Sequence, residues 1–283
     1  MTNPIANRAL LFLLTLLLAD TGLAQRAYLG FDKNDYPGDA LLPALHKEFR
    51  YTSFWLNDPP GEATNSWAGK RRILMQNGFG FLVLFNGRLE AQLRGRDAAA
   101  LGAVDGRAAA AAAQREDFAP GVLIFLDQEE GGRLLPEQAA YIFAWIDAVR
   151  VAGARPGVYC SGIETRDESG ATSTALDIAT RERARDERSA GRRLALWIAN
   201  DACPPAPGCR YTPPLLAQGV IVPLRDFATV WQYALSPRRT EFTQQCPANT
   251  APDGNCYAPG LPEDANTFVD LDTANSPDPS ETP

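Results

Sequence analysis

The chain is poor in histidine, in sulfur and in positive charge. His46 is the one histidine in 283 residues, which removes two-His metal sites and allows a Ser/His/Asp triad only with that residue as its base. Carboxylates are therefore the default chemistry. Lys and Arg number 27 against 34 Asp and Glu, a net charge of −7, so the surface field opposes nucleic acid backbones and anionic lipid. No nucleic acid partner is expected. Of the five cysteines, Cys203 and Cys209 bracket one Pro-rich loop (CPPAPGC), and Cys246 and Cys256 bracket another (CPANTAPDGNC). Two local disulfides are the simplest pairing in an oxidising compartment. Neither pair has the short spacing of a zinc site, and no metal or other cofactor is expected. Cys160 is left over in GVYCSG, where a buried, inert thiol is the expectation.

Long apolar runs are also scarce. One stands out, Ala9 to Ala19 (ALLFLLTLLLA), preceded by Arg8 and followed by small residues around Gly22 and Ala24. That is the charged, apolar, cleavable order of a secretory signal peptide, and residues 1–24 are assigned to it. The apolar core is well short of the roughly 20 residues a spanning helix needs, so no stable membrane span is expected after cleavage. The expected location is secreted or periplasmic, and the expected state is a monomer.

Removal of residues 1–24 leaves 25–272 as one domain and 273–283 (TANSPDPSETP) as a disordered tail. This size is close to the roughly 250 residues of a (β/α)8 barrel. Short apolar runs end at Asp32, Leu56, Phe85, Asp127, Cys160, Ala199, Ala234 and Asp272. Several, such as FLVLF and VLIFL, are apolar at consecutive positions, as parallel strands covered on both faces require. Helical patterns fill the first gaps at Leu41–Phe49, Trp67–Gln76, Ala98–Gln114 and Pro136–Gly153. After Ala199 and after Ala234 the connections turn rich in Pro, Gly and Cys. The fold expected is α/β, an irregular (β/α)8 TIM-like barrel in a single domain, with Cys-bracketed loops in its C-terminal part.

In such a barrel the site lies at the C-terminal ends of the strands. Three runs end in acid: Asp32 in YLGFD, Asp127 and Glu129 in LIFLDQE, and Asp270 with Asp272 in TFVDLD. Side chains alternate along a strand, so Asp127 and Glu129 share a side at about 6.6 Å along the backbone. Two carboxyls in one pocket raise one pKa and leave a protonated acid beside an ionised neighbour, the division of labour that glycoside hydrolysis uses. A solvated turn accounts for a lone DxE equally simply; four acids converging on one mouth do not fit that account. A metal-assisted phosphodiesterase could use the same acids, and the scarcity of histidine disfavours it. The aromatic residues Trp55, Tyr36, Tyr159 and Trp231, near strand ends, are expected to contact substrate together with Asp272, while Trp145 and Trp197 are read as core.

The pieces GFDKNDYPG, LVLFNG, IFLDQEEGG, RPGVYCSG, LWIAN, WQY and FVDLD, in this order, resemble the glycoside hydrolase family 25 lysozymes. They resemble more closely a related glycoside-hydrolase-like domain of unknown function in secreted bacterial proteins. The resemblance implies a metal-free barrel cleaving the β-1,4 bond after N-acetylmuramic acid in peptidoglycan. It implies Glu129 as general acid/base and Asp127 as the group that orients the substrate acetamido, itself the internal nucleophile. Asp32 and Asp270 match the acids of the first and eighth strands. The expected partner is a polysaccharide, peptidoglycan or a related N-acetylated glycan. The alternative is a glycan-binding or cell-envelope interaction protein without turnover.

Overall fold

A computed structural model describes residues 28–186, 194–200, 228–234, 267 and 269–281. The signal segment and Cys203, Cys209, Cys246 and Cys256, with the loops they bracket, lie outside the described residues. All eight apolar runs form strands: β1 (Tyr28–Asp32), β2 (Tyr51–Trp55), β3 (Gly80–Asn86), β4 (Leu123–Gln128), β5 (Arg155–Ser161), β8 (Ala195–Ala199), β9 (Val230–Ala234) and β10 (Asp270–Ala274). They close into a barrel in the order β1-β10-β9-β8-β5-β4-β3-β2. A small hairpin, β6 (Thr165–Asp167) and β7 (Gly170–Thr172), forms a separate two-stranded sheet after β5.

The barrel departs from eightfold parallel order at one strand. β10 pairs antiparallel with both β1 and β9, whereas the other neighbours are parallel. Its first residue, Asp270, is therefore in register with Asp32 at the C-terminal end of β1. Asp270 reaches the mouth as the start of a reversed strand, not as the end of a parallel one.

Four helices follow the expected patterns, α1 (Leu42–Glu48), α2 (Arg71–Gln76), α4 (Ala98–Arg115) and α5 (Pro136–Val151), and two more stand beside them, α3 (Glu90–Leu93) and α6 (Thr174–Asp186). The carboxylate of Asp97 accepts the amide of Ala100 and caps α4. α5 opens on Pro136, which lacks the amide that a first helical turn leaves unpaired anyway. α4 and α5 lie close because Gly102 has no side chain; a Cβ there would stand 2.2 Å from the carbonyl oxygen of Tyr141. Inside the barrel the same device operates at Gly30, where a Cβ would fall 1.9 Å from the Tyr51 ring. Trp145 and Trp197 are both core, 0% and 1% exposed. Cys160 is fully buried and unpaired, its thiol pushed up by burial. No helix among the described residues is long and apolar enough to cross a membrane.

The tail read as disordered is ordered through Glu281. Residues 275–281 run under the barrel as a strap whose polar atoms satisfy backbone groups of β3 and β4. The amide of Phe81 donates to the Asp278 carboxylate, that of Val83 to Ser280 Oγ at 2.9 Å, and that of Leu123 to the Ser280 carbonyl at 2.8 Å. Arg71 pairs with Glu281 at 2.8 Å, and Ser280 is fully buried. Composition signalled solvent because the segment has few apolar groups; what holds it is unpaired backbone at the barrel floor, which composition does not register.

Candidate active site

Five carboxyl groups gather at or just beneath the mouth. Asp32 ends β1, Asp127 lies near the end of β4, Glu129 follows it, and Asp270 and Asp272 open β10. Asp127 is in register with Tyr159 on β5, and Tyr159 with Trp197 on β8, so these three share one level of the barrel.

Two carboxyl pairs form within this group. Asp272 is fully buried; the Trp197 indole donates to its Oδ1 at 2.9 Å, while its Oδ2 has no donor. Burial first, and the neighbouring Asp32 charge second, hold Asp272 well above the usual carboxylate range. Protonated, it donates to Asp32 and its orphan oxygen is satisfied. Asp32 itself is pushed up to about 6, by burial first, against the hydrogen bonds from Asp272 and Gln232 that favour its charged form. Asp127 is 3% exposed and neither of its oxygens meets a conventional donor. Burial, then the charges of Glu129 and Asp32, raise it well above its ordinary value, and its proton is directed at Glu129. Glu129 stands exposed at the rim, raised by partial desolvation and held down by the bond with Asp127. Burial thus favours the neutral form of Asp127 more strongly than that of Glu129, which stands nearer to solvent.

Gln232, on β9 and 1% exposed, ties Asp32 of the first pair, together with Asp270, to the wall. Its Nε2 donates to Asp32 Oδ2 at 2.7 Å and to Asp270 Oδ2 at 3.3 Å, and its Oε1 accepts the Tyr159 hydroxyl at 2.8 Å. Among the described residues, Asp32, Asp127, Glu129 and Asp272 form no ion pair. Glu130, next to Glu129, has a different task. Its carboxylate accepts the backbone amide of Glu90 and the side-chain amide of Gln138, both at 2.7 Å, and so anchors the loop after β4 to α3 and α5.

The aromatic residues divide. Tyr159 belongs to the acidic cluster through Gln232. Trp55 and Trp231 are buried, and their indole N–H groups donate to the carbonyls of Lys33 and Asn200. Tyr36 packs edge-on against Trp67, with the Lys70 ammonium 4.9 Å above its ring, rather than on the acids. Gln232 escapes a search for charge because it is neutral and sits between two aromatics in WQY. The available signal was a lone polar residue inside a strand otherwise apolar or aromatic. No group of residues among those described has the makings of a metal site.

Comparison with known proteins fits this architecture. The chain matches the Rv2525c-like, glycoside hydrolase-like domain over residues 50–200. An uncharacterized protein of B. stearothermophilus shares the fold at a TM-score of 0.54 and 20% identity, covering 87% of this chain and 94% of its own. The Tat-secreted protein Rv2525c of Mycobacterium tuberculosis superposes at a TM-score of 0.46 with 13% identity, over 88% of this chain and 95% of that one. The catalytic domain of endolysin ply40 from bacteriophage P40 of Listeria monocytogenes gives 0.45 and 14%, over 89% and 94%. No curated protein matches the chain in sequence. With more than half of its length matched, this chain belongs to the Rv2525c-like, glycoside hydrolase-like domain family.

Proposed function

We propose that the protein is an exported glycoside hydrolase that cleaves peptidoglycan or another N-acetylated glycan, with Asp127 and Glu129 as its working pair. The observation that carries this reading is the placement of two carboxyls at one strand end, Asp127 buried with no conventional donor to either oxygen and Glu129 exposed beside it at the mouth. A substrate acetamido N–H offered to Asp127 replaces the proton there, and the proton passes to Glu129. Glu129 then donates it to the glycosidic oxygen as the C1–O bond breaks, while the acetamido carbonyl oxygen bonds to C1. The resulting oxazolinium ion is opened by water, which returns a proton to Glu129. No enzyme nucleophile is needed. Asp32 and Asp270 supply negative charge that favours the cationic intermediate. Asp272, Tyr159, Trp55 and Trp231 shape the wall, and Tyr36 stands farther along the rim as a sugar contact.

The test is mass spectrometry of purified peptidoglycan after digestion, which names the new reducing-end sugar, alongside turbidity loss. Glu129→Gln is expected to abolish release and Asp127→Asn to reduce it at least a hundredfold, on the scale of acid/base catalysis, roughly 10²- to 10⁴-fold. Equal release by native and Glu129→Gln proteins removes Glu129 from the mechanism. Saturable glycan binding with no new reducing ends would make the protein a binding module instead.

A further inference from the structure

We propose that Gln232 is the positioning residue of the acidic mouth, clamping Asp32 and Asp270 through its amide while Tyr159 sets which way that amide faces. The amide nitrogen donates to both carboxylates, at 2.7 and 3.3 Å, and the carbonyl accepts the Tyr159 hydroxyl at 2.8 Å. The opposite orientation would aim a carbonyl oxygen at two carboxylates and is excluded by repulsion. The residue has little freedom to turn. It is almost fully buried, its backbone lies in register with Asp272 on one side and Ala199 on the other, and its carbonyl accepts the amide of Asn200.

The clamp matters because of what surrounds it. The titratable groups facing Asp32 are Asp270 and Asp272 on β10, Asp127 and Glu129 from β4, Tyr51 on β2 and Tyr159 on β5. All are neutral or negative. Among the described residues no cation pairs with Asp32, and its charge is supported by the Gln232 amide and the Asp272 proton. That charge is in turn one of the influences keeping the proton on the Asp127–Glu129 pair. Gln232 therefore acts on the reacting pair at one remove, through Asp32.

For its kinetic consequence the inference rests on the glycosidase reading; for its electrostatic consequence it does not. The test uses Gln232→Met, close in shape but without donor or acceptor, and Tyr159→Phe, which keeps the amide and releases its orientation. Asp carboxyl carbons are titrated by ¹³C NMR in the full chain, with Asp32→Asn assigning the Asp32 signal. In Gln232→Met that signal is expected to titrate about one to two pH units higher, the scale of a lost bond to a charged group. In Tyr159→Phe it moves the same way by less. On peptidoglycan, kcat is expected to fall about ten- to a hundredfold in Gln232→Met. KM stays within roughly threefold, and the alkaline limb of the pH profile moves down because the Asp32 charge no longer retains the shared proton. An unmoved Asp32 titration in a folded Gln232→Met protein overturns the proposal, as does an unmoved alkaline limb in an active one. If Gln232→Met fails to fold, the Tyr159→Phe titration decides by the same criterion. Absence of hydrolysis by the native protein overturns the glycosidase reading, and the NMR titration still decides the role of Gln232.

Discussion

Replacing Asp32 with Asn is expected to stabilise the protein at neutral pH while impairing it. Asp32 is 8% exposed and its carboxyl is displaced from 3.8 to about 6, chiefly by burial. In the unfolded chain it returns to its ordinary value, so folding favours the protonated form. The stability associated with that proton is complete below about 3.8 and is lost as pH rises through about 6. A displacement of this size corresponds to about 3 kcal/mol at pH 7.5. Asn cannot ionise and retains an oxygen for the Gln232 donor. Urea unfolding of both proteins at pH 4 and pH 7.5 measures the effect. Asp32→Asn should match the native chain at the lower pH and exceed it by about 2–3 kcal/mol at the higher, or about 4–12 °C in Tm. Some pH dependence persists in the variant, because Asp127, Asp272 and Glu129 are raised in the same direction. A difference that is the same at both pH values, or a variant weaker at pH 7.5, would refute the reasoning that the mouth is held together against its own charge.

Other expectations follow from the packing. Ser280→Ala strands the Val83 amide at the barrel floor and should cost about 1–3 kcal/mol, read as a lower urea midpoint with an unchanged slope. Asp105→Ala removes the acceptor of a two-point Arg88 contact, at 2.6 and 2.8 Å, and of the Tyr141 hydroxyl at 2.9 Å. It should cost about 3–5 kcal/mol, and an equally stable variant would deny the network any structural weight. Cys160, buried and raised, should resist a thiol reagent in the folded protein and react on denaturation; prompt modification of the native state would place it outside the core.

Much of the barrel could be read from the chain because consecutive apolar runs such as FLVLF and VLIFL carry their own signal for buried parallel strands. All eight runs are strands, and Asp32, Asp127 and Glu129 lie at or just past the C-terminal ends of β1 and β4, while Asp270 joins them from the first residue of a reversed strand. Strand direction was not legible: TFVDLD reads the same in either sense, and only the hydrogen-bond register with β1 and β9 reverses it. Nor was the order of the C-terminal strap, whose contacts are to backbone atoms more than a hundred residues away. Gln232 was overlooked because a neutral amide acquires its significance from the carboxylates that folding brings to it, one of them 200 positions earlier.

The reversed last strand has a consequence for assembly. β1 pairs with β10 along five residues but with β2 along only two, so the first strand of the barrel is seated mainly by the last. Until residues 270–274 arrive, Asp32 has neither Asp270 nor Asp272 opposite it, and the ring of acids is incomplete. The full set of acids arrives together with closure, and a chain interrupted before its final strand would lack both.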